Sequence, residues 1–412
     1  MKKQIYVRGP FLSQSGYGEQ SRFALRALKS QEERFDIYLQ PIPWGETGWV
    51  WADNEFRRWI DERIKMTQIL IHKKQFKPDI CLQITIPNEF EKVAPINIGY
   101  TAGIETTKVA PQWLAKGNEM DKLLVVSNHA KTTYVNTVAQ AQNTQTGEIQ
   151  PYKLTKPIEV VHEITPRHSP TPIEGFDPKT KFNFLMISQW GPRKNFENAI
   201  NWWVEEFIDQ NVGLVLKTSI KSNCVMDFEY LEKRVESLLS GYKDRKCKVY
   251  LLHGDLTEGQ MSWLYNHDKI KAMVNIAHGE GFGLPLFEAA REALPIVTIP
   301  WSGQMDFLHY DGESYFQEVE YSLRPIQQEA RWDGVLEQDS MWAFADQGSY
   351  KMTLRKTHKK WKQAKKTAEK LQTLLNEKFN EEKLYSQFCD AVHTQSAEER
   401  KWSESLSQVE LI

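Results

Sequence analysis

His278-Gly-Glu-Gly-Phe-Gly-Leu-Pro-Leu-Phe-Glu-Ala-Ala290 follows a short apolar run, Lys271-Ala-Met-Val-Asn-Ile-Ala277, that reads as a buried strand. Gly279, Gly281 and Gly283 allow tight, positive-φ backbone close to a ligand. Pro285 suits a first helical turn, where a missing N–H is no loss. Strand, Gly-rich loop and helix start together present backbone N–H groups to an anion, usually a phosphate. Two carboxylates flank the loop, Glu280 within it and Glu288 in the helix, with seven residues between them. A phosphate site rimmed by carboxylates suits a ligand with phosphate at one end and hydroxyls at the other, such as a sugar nucleotide. The glycine spacing is not that of G-x-G-x-x-G, so the dinucleotide fingerprint is not met. The plain alternative is a Gly-rich strand–helix connection of any α/β protein, with both glutamates solvated.

Outward from this segment, strands and helices alternate in two series. Before residue 165 the strand candidates are Gln4–Arg8, Phe35–Ile42, Asp79–Ile84, Ile96–Thr101, Leu123–Ser127 and Ile158–His162, with helices at Glu19–Ser30, Glu55–Lys74, Gln112–Lys116 and His129–Ala139. Gln140–Pro157, rich in Gln and Thr, reads as an exposed excursion. Thr165–Pro178 holds four prolines, which suits an interdomain linker. Alternation restarts with strands Phe182–Ser188, Val212–Thr218, Lys248–Leu252, Ala272–Ala277 and Ile296–Ile299, and helices Phe196–Asp209, Asp227–Leu239, Glu258–His267 and Leu286–Ala293. Such βα alternation predicts parallel, doubly wound sheets. A Lys-rich helical stretch runs from Tyr350 to Lys383, and Leu384, Tyr385, Phe388 and Val392 then follow helical spacing and need a surface to cover.

At 412 residues the chain exceeds the usual single-core limit, so two domains are expected. A net charge of −2 gives no global field toward nucleic acid. Nucleic acid remains possible as a partner through the Lys351–Lys370 stretch, although a solvated helical face is the simpler reading. Cys81, Cys224, Cys247 and Cys389 form no CxxC pair and read as reduced thiols. There is no signal-peptide pattern at Met1–Arg8, and no run of about 18 apolar residues that would span a bilayer. A cytoplasmic setting is expected.

The thirteen-residue string resembles the E-x7-E signature of retaining glycosyltransferases of family GT4, which have the GT-B fold. Ser188-Gln-Trp-Gly-Pro-Arg-Lys-Asn195, His253–Tyr265 and Pro295–Asp306 resemble other segments of that family, and Tyr100–Trp113 and Val125–His129 resemble its acceptor-domain segments. The resemblance implies two Rossmann-like doubly wound domains facing a cleft, with a C-terminal helix crossing back. Residues 1–165 would form the acceptor side, 179–370 the nucleotide-sugar donor side, and 371–412 a helical segment returning to the first domain. It implies transfer, with retention, of a sugar from a nucleotide diphosphate to a hydroxyl acceptor, without cofactor or metal. The acceptor is left open: polysaccharide, lipid-linked glycan, protein or a modified DNA base. A nucleotide-sugar epimerase of the same fold, or a sugar-nucleotide or glycan-binding module without turnover, are the rival readings.

Residue by residue, the resemblance assigns Arg193 and Lys194 to the leaving diphosphate, Glu280 to the donor sugar's hydroxyls and Glu288 to the ribose. The backbone of Gly281, Phe282, Gly283 and Leu284 would hold the distal phosphate. Gly16 and Gly18, in Ser13–Arg22, resemble the family's N-terminal Gly loop, with Arg22 either reaching phosphate or solvated. His129, Glu105 and Glu89 are the candidate polar groups of the acceptor side, His129 with a catalytic part. Trp44, Trp49 and Trp51 fall in a loop after the second strand, where exposed rings would stack on a sugar or a base. No Asp-x-Asp occurs and the histidines lack metal-ligand spacing, so no metal site is expected.

Overall fold

A computed structural model describes residues 2–142 and 145–394. The chain forms two compact units. As far as these residues are described, the first holds Met1–Ile104, Lys108–Ile164 and Glu381–Ile412, and the second holds Glu105–Thr107 and Thr165–Asn380.

In the first unit, strands β1 (Lys3–Gly9), β2 (Phe35–Pro41), β3 (Ile80–Ile84), β4 (Ile96–Thr101) and β5 (Lys122–Val125) alternate with helices α1 (Gly16–Lys29), α2 (Glu55–His72), α3 (Pro111–Glu119) and α4 (Asn128–Asn136). An exposed antiparallel hairpin follows, β6 (Ala139–Gln142) with β7 (Ile149–Tyr152), and then β8 (Ile158–Val160). The main sheet runs β2-β1-β3-β4-β5-β8, parallel throughout. Buried β-branched and aromatic residues, such as Ile5, Val7, Ile37, Ile80 and Tyr100, form its core. Helix starts are fixed by side chains that satisfy orphan N–H groups: Ser15 caps α1, Asn54 caps α2 and Ser127 caps α4. The stretch expected to be an exposed excursion holds this hairpin and has no buried residue among those described, residues 143–144 lying outside the described part.

The second unit has β9 (Asn183–Gln189), α5 (Phe196–Phe207), β10 (Gly213–Ser219), α6 (Val225–Leu239), β11 (Lys248–Leu252), α7 (Glu258–Asn266), β12 (Ile270–Asn275), α8 (Leu284–Arg291), β13 (Ile296–Thr298) and α9 (Met305–Leu308). Short strands absent from the sequence reading follow: β14 (His309–Tyr310), β15 (Glu313–Ser314), β16 (Gln317–Glu318), β17 (Tyr321–Pro325) and β18 (Met341–Ala345). The parallel sheet order is β11-β10-β9-β12-β13-β16. Counted along the chain this is 3-2-1-4-5-6, the dinucleotide-type doubly wound order, whose direction reverses between β9 and β12. Phe184, Leu214, Leu216, Trp203, Phe207 and Val274 fill the core beneath α5.

The Lys-rich stretch is two helices, α10 (Gln347–Lys359) and α11 (Trp361–Lys378), and α11 packs on α8. Lys351 pairs with Glu205 and Arg355 with Glu206 at 2.6 Å, so two of its cations lie against α5. The proline-rich segment Thr165–Pro178 is anchored on the second unit, where Thr171 N–H donates to Gly259 O at 2.9 Å and Lys269 pairs with Asp177. The last described helix, α12 (Glu381–Val392), packs on α1 of the first unit. Phe23 meets Tyr385 and Phe388 at 5.8 and 5.6 Å between ring centroids, and Tyr100 meets Phe388 at 5.5 Å. Arg34 completes this attachment with an ion pair to Asp390 at 2.9 Å. The part of 371–412 beyond Thr394 lies outside the described residues.

Candidate functional site

The reversal point of the second sheet gathers the groups from which chemistry can be built. Ligand crevices in open α/β sheets form outside the carboxyl ends of strands, where the order reverses. Here β9 leads into a turn at Pro192–Lys194, and β12 leads into His278–Gly283. Asn195 closes the first turn with left-handed backbone (φ 54°) and donates from its side chain to Ile276 O at 3.2 Å. His278 N–H donates to Arg193 O at 2.8 Å, which fastens the two loops together through backbone.

Glu280 is the hub. Lys194 Nζ donates to Oε1 at 2.7 Å and to Oε2 at 2.6 Å, Arg193 Nη1 to Oε2 at 3.1 Å, and Asn275 Nδ2 to Oε1 at 2.9 Å. Each carboxylate oxygen offers about two lone-pair sites, so these four bonds fill its acceptor capacity. Arg193 also donates to Gly279 O at 2.6 Å and pairs with Glu105 at 3.2 Å. Gly279 lets that residue approach, because a Cβ at 279 would meet Glu105 O at 2.6 Å. Two cations and two anions thus form one local cluster. Burial opposes ionisation of Glu280, yet Lys194 and Arg193 overcome it and hold the carboxyl down at about 2. Burial, aided by Arg193, lowers Lys194 from its ordinary value despite Glu280. Arg193 is raised, since Glu105 and Glu280 outweigh its desolvation.

A second ring of contacts fixes the hub. The Glu280 backbone N–H donates to Ser302 Oγ at 2.8 Å, and Gly303 N–H donates to Glu280 O at 2.9 Å. Ser302 has φ 70°, an uncommon conformation for a side-chain-bearing residue that the surrounding bonds must impose. A Cβ at Gly303 would lie 1.9 Å from Gly281 O, so the two loops touch through bare backbone. Helix α8 then starts at Gly283, which has φ 93°, with Pro285 in its first turn. Tyr265 donates its hydroxyl to Glu288 Oε2 at 2.8 Å. Phe282 is buried, with rings of Phe287 and Phe307 at 5.3 and 5.1 Å. Gly281, Gly283 and Leu284 thus sit on the turn into α8.

His278 had no part in the sequence reading beyond opening the string. It is 1% exposed and stacked on Trp342 at 4.9 Å, with Nδ1 2.7 Å from Ala343 O and Nε2 3.0 Å from Gln327 Nε2. Burial first, then Arg193, push its pKa down to about 4 against the Ala343 carbonyl, so the ring is neutral. It ties the site loop to β18, a strand the sequence did not reveal. The signal available was the position of a lone histidine directly after an apolar strand.

The remaining sequence candidates lie in the first unit. Gly16 and Gly18 open α1, where Ser15 Oγ accepts from Gly18 N–H at 3.0 Å. A Cβ at Gly18 would lie 2.1 Å from Ser13 O, so this glycine is required by the loop's own closure. Arg22 is neither solvated nor pointed away from the loop. It donates to Phe11 O at 3.1 Å, to Ser13 O at 2.9 Å and to Glu19 at 2.9 Å. His129 is half-buried in the first turn of α4, and Glu89 accepts from Thr85 at the exposed end of a short turn. His129 therefore belongs to a different unit from Arg193, Lys194 and Glu280, whereas Glu105 joins them directly. Trp44 is tilted on Tyr17 at 4.2 Å, and Trp49 and Trp51 are 61% and 90% exposed. Among the described residues no group of three or more His, Cys, Asp or Glu side chains is placed to hold a metal ion. Among them, too, no helix is long and apolar enough to cross a membrane.

No family model and no curated protein matches this sequence. The fold does match solved structures. Sucrose-phosphate synthase from Thermosynechococcus elongatus matches with TM-score 0.59 and 12% identity over 99% of this chain and 100% of that one. OtsA in its apo form matches with TM-score 0.59 and 10% identity over 96% and 100%. Alr3699/HepE from Anabaena, solved in complex with UDP and glucose, matches with TM-score 0.57 and 11% identity over 95% and 100%. With two parallel six-stranded sheets in one α/β chain, this protein has the fold of GT-B glycosyltransferases.

Proposed function

We propose that the protein is a retaining glycosyltransferase, of the kind that the E-x7-E string resembles, using a nucleotide diphosphate-sugar donor and a hydroxyl acceptor. The observation that carries this reading is the cluster of Arg193, Lys194 and Glu280 at the reversal point of the second sheet, beside a Gly-initiated helix start. The fold supports it, as does HepE's complex with UDP and glucose. Donor binding is assigned to the second unit and acceptor binding to the first, with His129, Glu89 and the tryptophan loop on the acceptor side.

In this proposal the glycosidic C–O bond to the diphosphate breaks while the acceptor oxygen bonds to the same face of the anomeric carbon. The acceptor proton passes to a phosphate oxygen of the leaving diphosphate. That group gains negative charge as the bond breaks, and Arg193 and Lys194 meet it without a metal ion. Glu280 holds both cations ready, since ordering such charges before reaction avoids reorganisation during it. The N–H groups of Gly281, Phe282, Gly283 and Leu284 serve the distal phosphate and Glu288 the ribose. Contact of Glu280 with sugar hydroxyls requires one of its four present donors to turn to the incoming phosphate.

The test is a thermal-shift series with UDP, GDP, ADP, dTDP and their sugars, followed by kinetics with the donor it identifies. At least one diphosphate should raise the midpoint, because ligand binding to the native state stabilises it. Arg193→Ala should lower kcat by about two decades, roughly 3 kcal/mol for one preorganised charge. Glu288→Gln should instead raise donor KM by about 1–2 kcal/mol, leaving kcat near its starting value. No midpoint shift with any diphosphate, or an inverted product anomer, would refute the proposal.

A further inference from the structure

The first unit carries an aromatic feature that its own fold does not use. Between Phe35 and Phe56 there is no Lys, Arg or His, yet the segment contains Trp44, Trp49 and Trp51. Trp49 and Trp51 are 61% and 90% exposed. Exposed apolar patches mark contact sites, and Trp51 is the most exposed of the large hydrophobic side chains among the described residues.

The segment is held in place. Ser13 and Trp49 form an antiparallel bridge, with Gln14 N–H donating to Gly48 O at 2.8 Å and Val50 N–H to Leu12 O at 2.7 Å. Ser13 Oγ and Thr47 Oγ1 are 2.6 Å apart. Arg57 donates to Val50 O at 2.7 Å from the start of α2. Trp49 lies at the bridge and Trp51 two residues on, about 7 Å further along an extended chain. Trp44 lies over Tyr17 on the same loop system.

We propose that Trp49 and Trp51 form a stacking platform for an uncharged glycan, which is the acceptor. This rests on the transferase reading for the word acceptor, but not for the binding. A pyranose offers a face of C–H groups that lies flat on an aromatic ring, and two exposed rings two residues apart can each take one sugar. Charge separates this ligand from the other acceptor classes. Single-stranded nucleic acid sites join aromatic platforms to a positive groove. Interfacial anchors likewise set Trp beside Lys and Arg. Here the loop brings Glu46 and Asp53, and the two cations that follow it at the start of α2 are paired: Arg58 with Asp53 at 2.6 Å, and Arg57 with Asp61 at 3.0 Å.

The experiment uses the full chain on an array of uncharged oligosaccharides of several linkages, with Trp49→Ala/Trp51→Ala and Trp51→Ala alone as variants. The wild type should bind at least one such glycan, and the double variant should bind it at least tenfold more weakly. The midpoint shift given by nucleotide diphosphates should be unchanged in both variants. Parallel arms use single-stranded DNA and phosphatidylcholine vesicles with and without phosphatidylglycerol. No glycan binding, glycan binding indifferent to both substitutions, or tryptophan-dependent binding of DNA or vesicles overturns the platform. Glycan binding through the tryptophans with no response to any nucleotide diphosphate keeps the platform and overturns the transferase reading instead.

Discussion

Both sheets place a strand–helix loop at the point where their strand order reverses, after β1 in the first unit and after β9 in the second. The two loops employ their cations differently. In the first, Arg22 spends its donors on Phe11 O, Ser13 O and Glu19, all within a dozen residues of it. Glu19 in turn is half-buried, and against that desolvation Arg22 and Arg26 hold its carboxyl at about 2. That loop is closed on itself. In the second, Arg193 and Lys194 engage a carboxylate 87 and 86 residues away, on the neighbouring strand's loop, and Arg193 a third segment at Glu105. The same topological position thus serves as local scaffold in one unit and as a junction of distant elements in the other. Only the second arrangement of the two joins cations to carboxylates from distant segments.

Lys194→Ala should give the largest stability effect. It leaves a 7% exposed carboxylate without its principal partner, and breaking such a pair costs about 3–5 kcal/mol. Urea denaturation would measure it, and a loss under about 1 kcal/mol would mean that Glu280 relaxes into water. A smaller effect is expected from pH. The folded pKa of His278, at about 4, lies below the unfolded value of about 6.5. Between these values the unfolded chain binds the proton and the folded chain does not. Stability is therefore fully present above about pH 6.5 and falls by about 3 kcal/mol as pH drops to about 4. Glu280 adds a further loss in the same direction, from its unfolded value down to about pH 2. In His278→Asn the slope between pH 6.5 and 4 should flatten, and an unchanged slope would place the titration elsewhere. Arg22→Ala should cost least, about 1–3 kcal/mol for carbonyls and a carboxylate left without their donor. A loss equal to that of Lys194→Ala would erase the contrast between the loops.

Much of the architecture was readable from residues alone. Ile96–Thr101 and Lys248–Leu252 coincide with their strands: Ile96, Ile98 and Tyr100 alternate with Asn97, Gly99 and Thr101, and Val249–Leu252 is a continuous apolar run. The short pairs β14 with β15 and β17 with β18 were not readable. Two-residue strands such as Glu313–Ser314 carry no periodicity, and Tyr-Ser-Leu-Arg-Pro at Tyr321–Pro325 has no apolar run and ends on a proline, so its pairing depends on what packs beside it. The tryptophan loop was legible in composition only, since exposure is a property of the folded surface.

The sequence by itself determined two series of strands and helices, a helix with Pro285 in its first turn, and a basic pair just beyond the first strand of the second series. Those are local properties, set by backbone conformation and by which residues tolerate it. The tertiary structure alone decided that Lys194 and Glu280 meet. Between them along the chain lie β10 and β11, yet the sheet order sets β9 directly beside β12. The same ordering buried His278 against Trp342 and made its ring neutral. Neighbour relations between strands arise from global packing of both sheet faces, so the charge state of this cluster has no local signature to read.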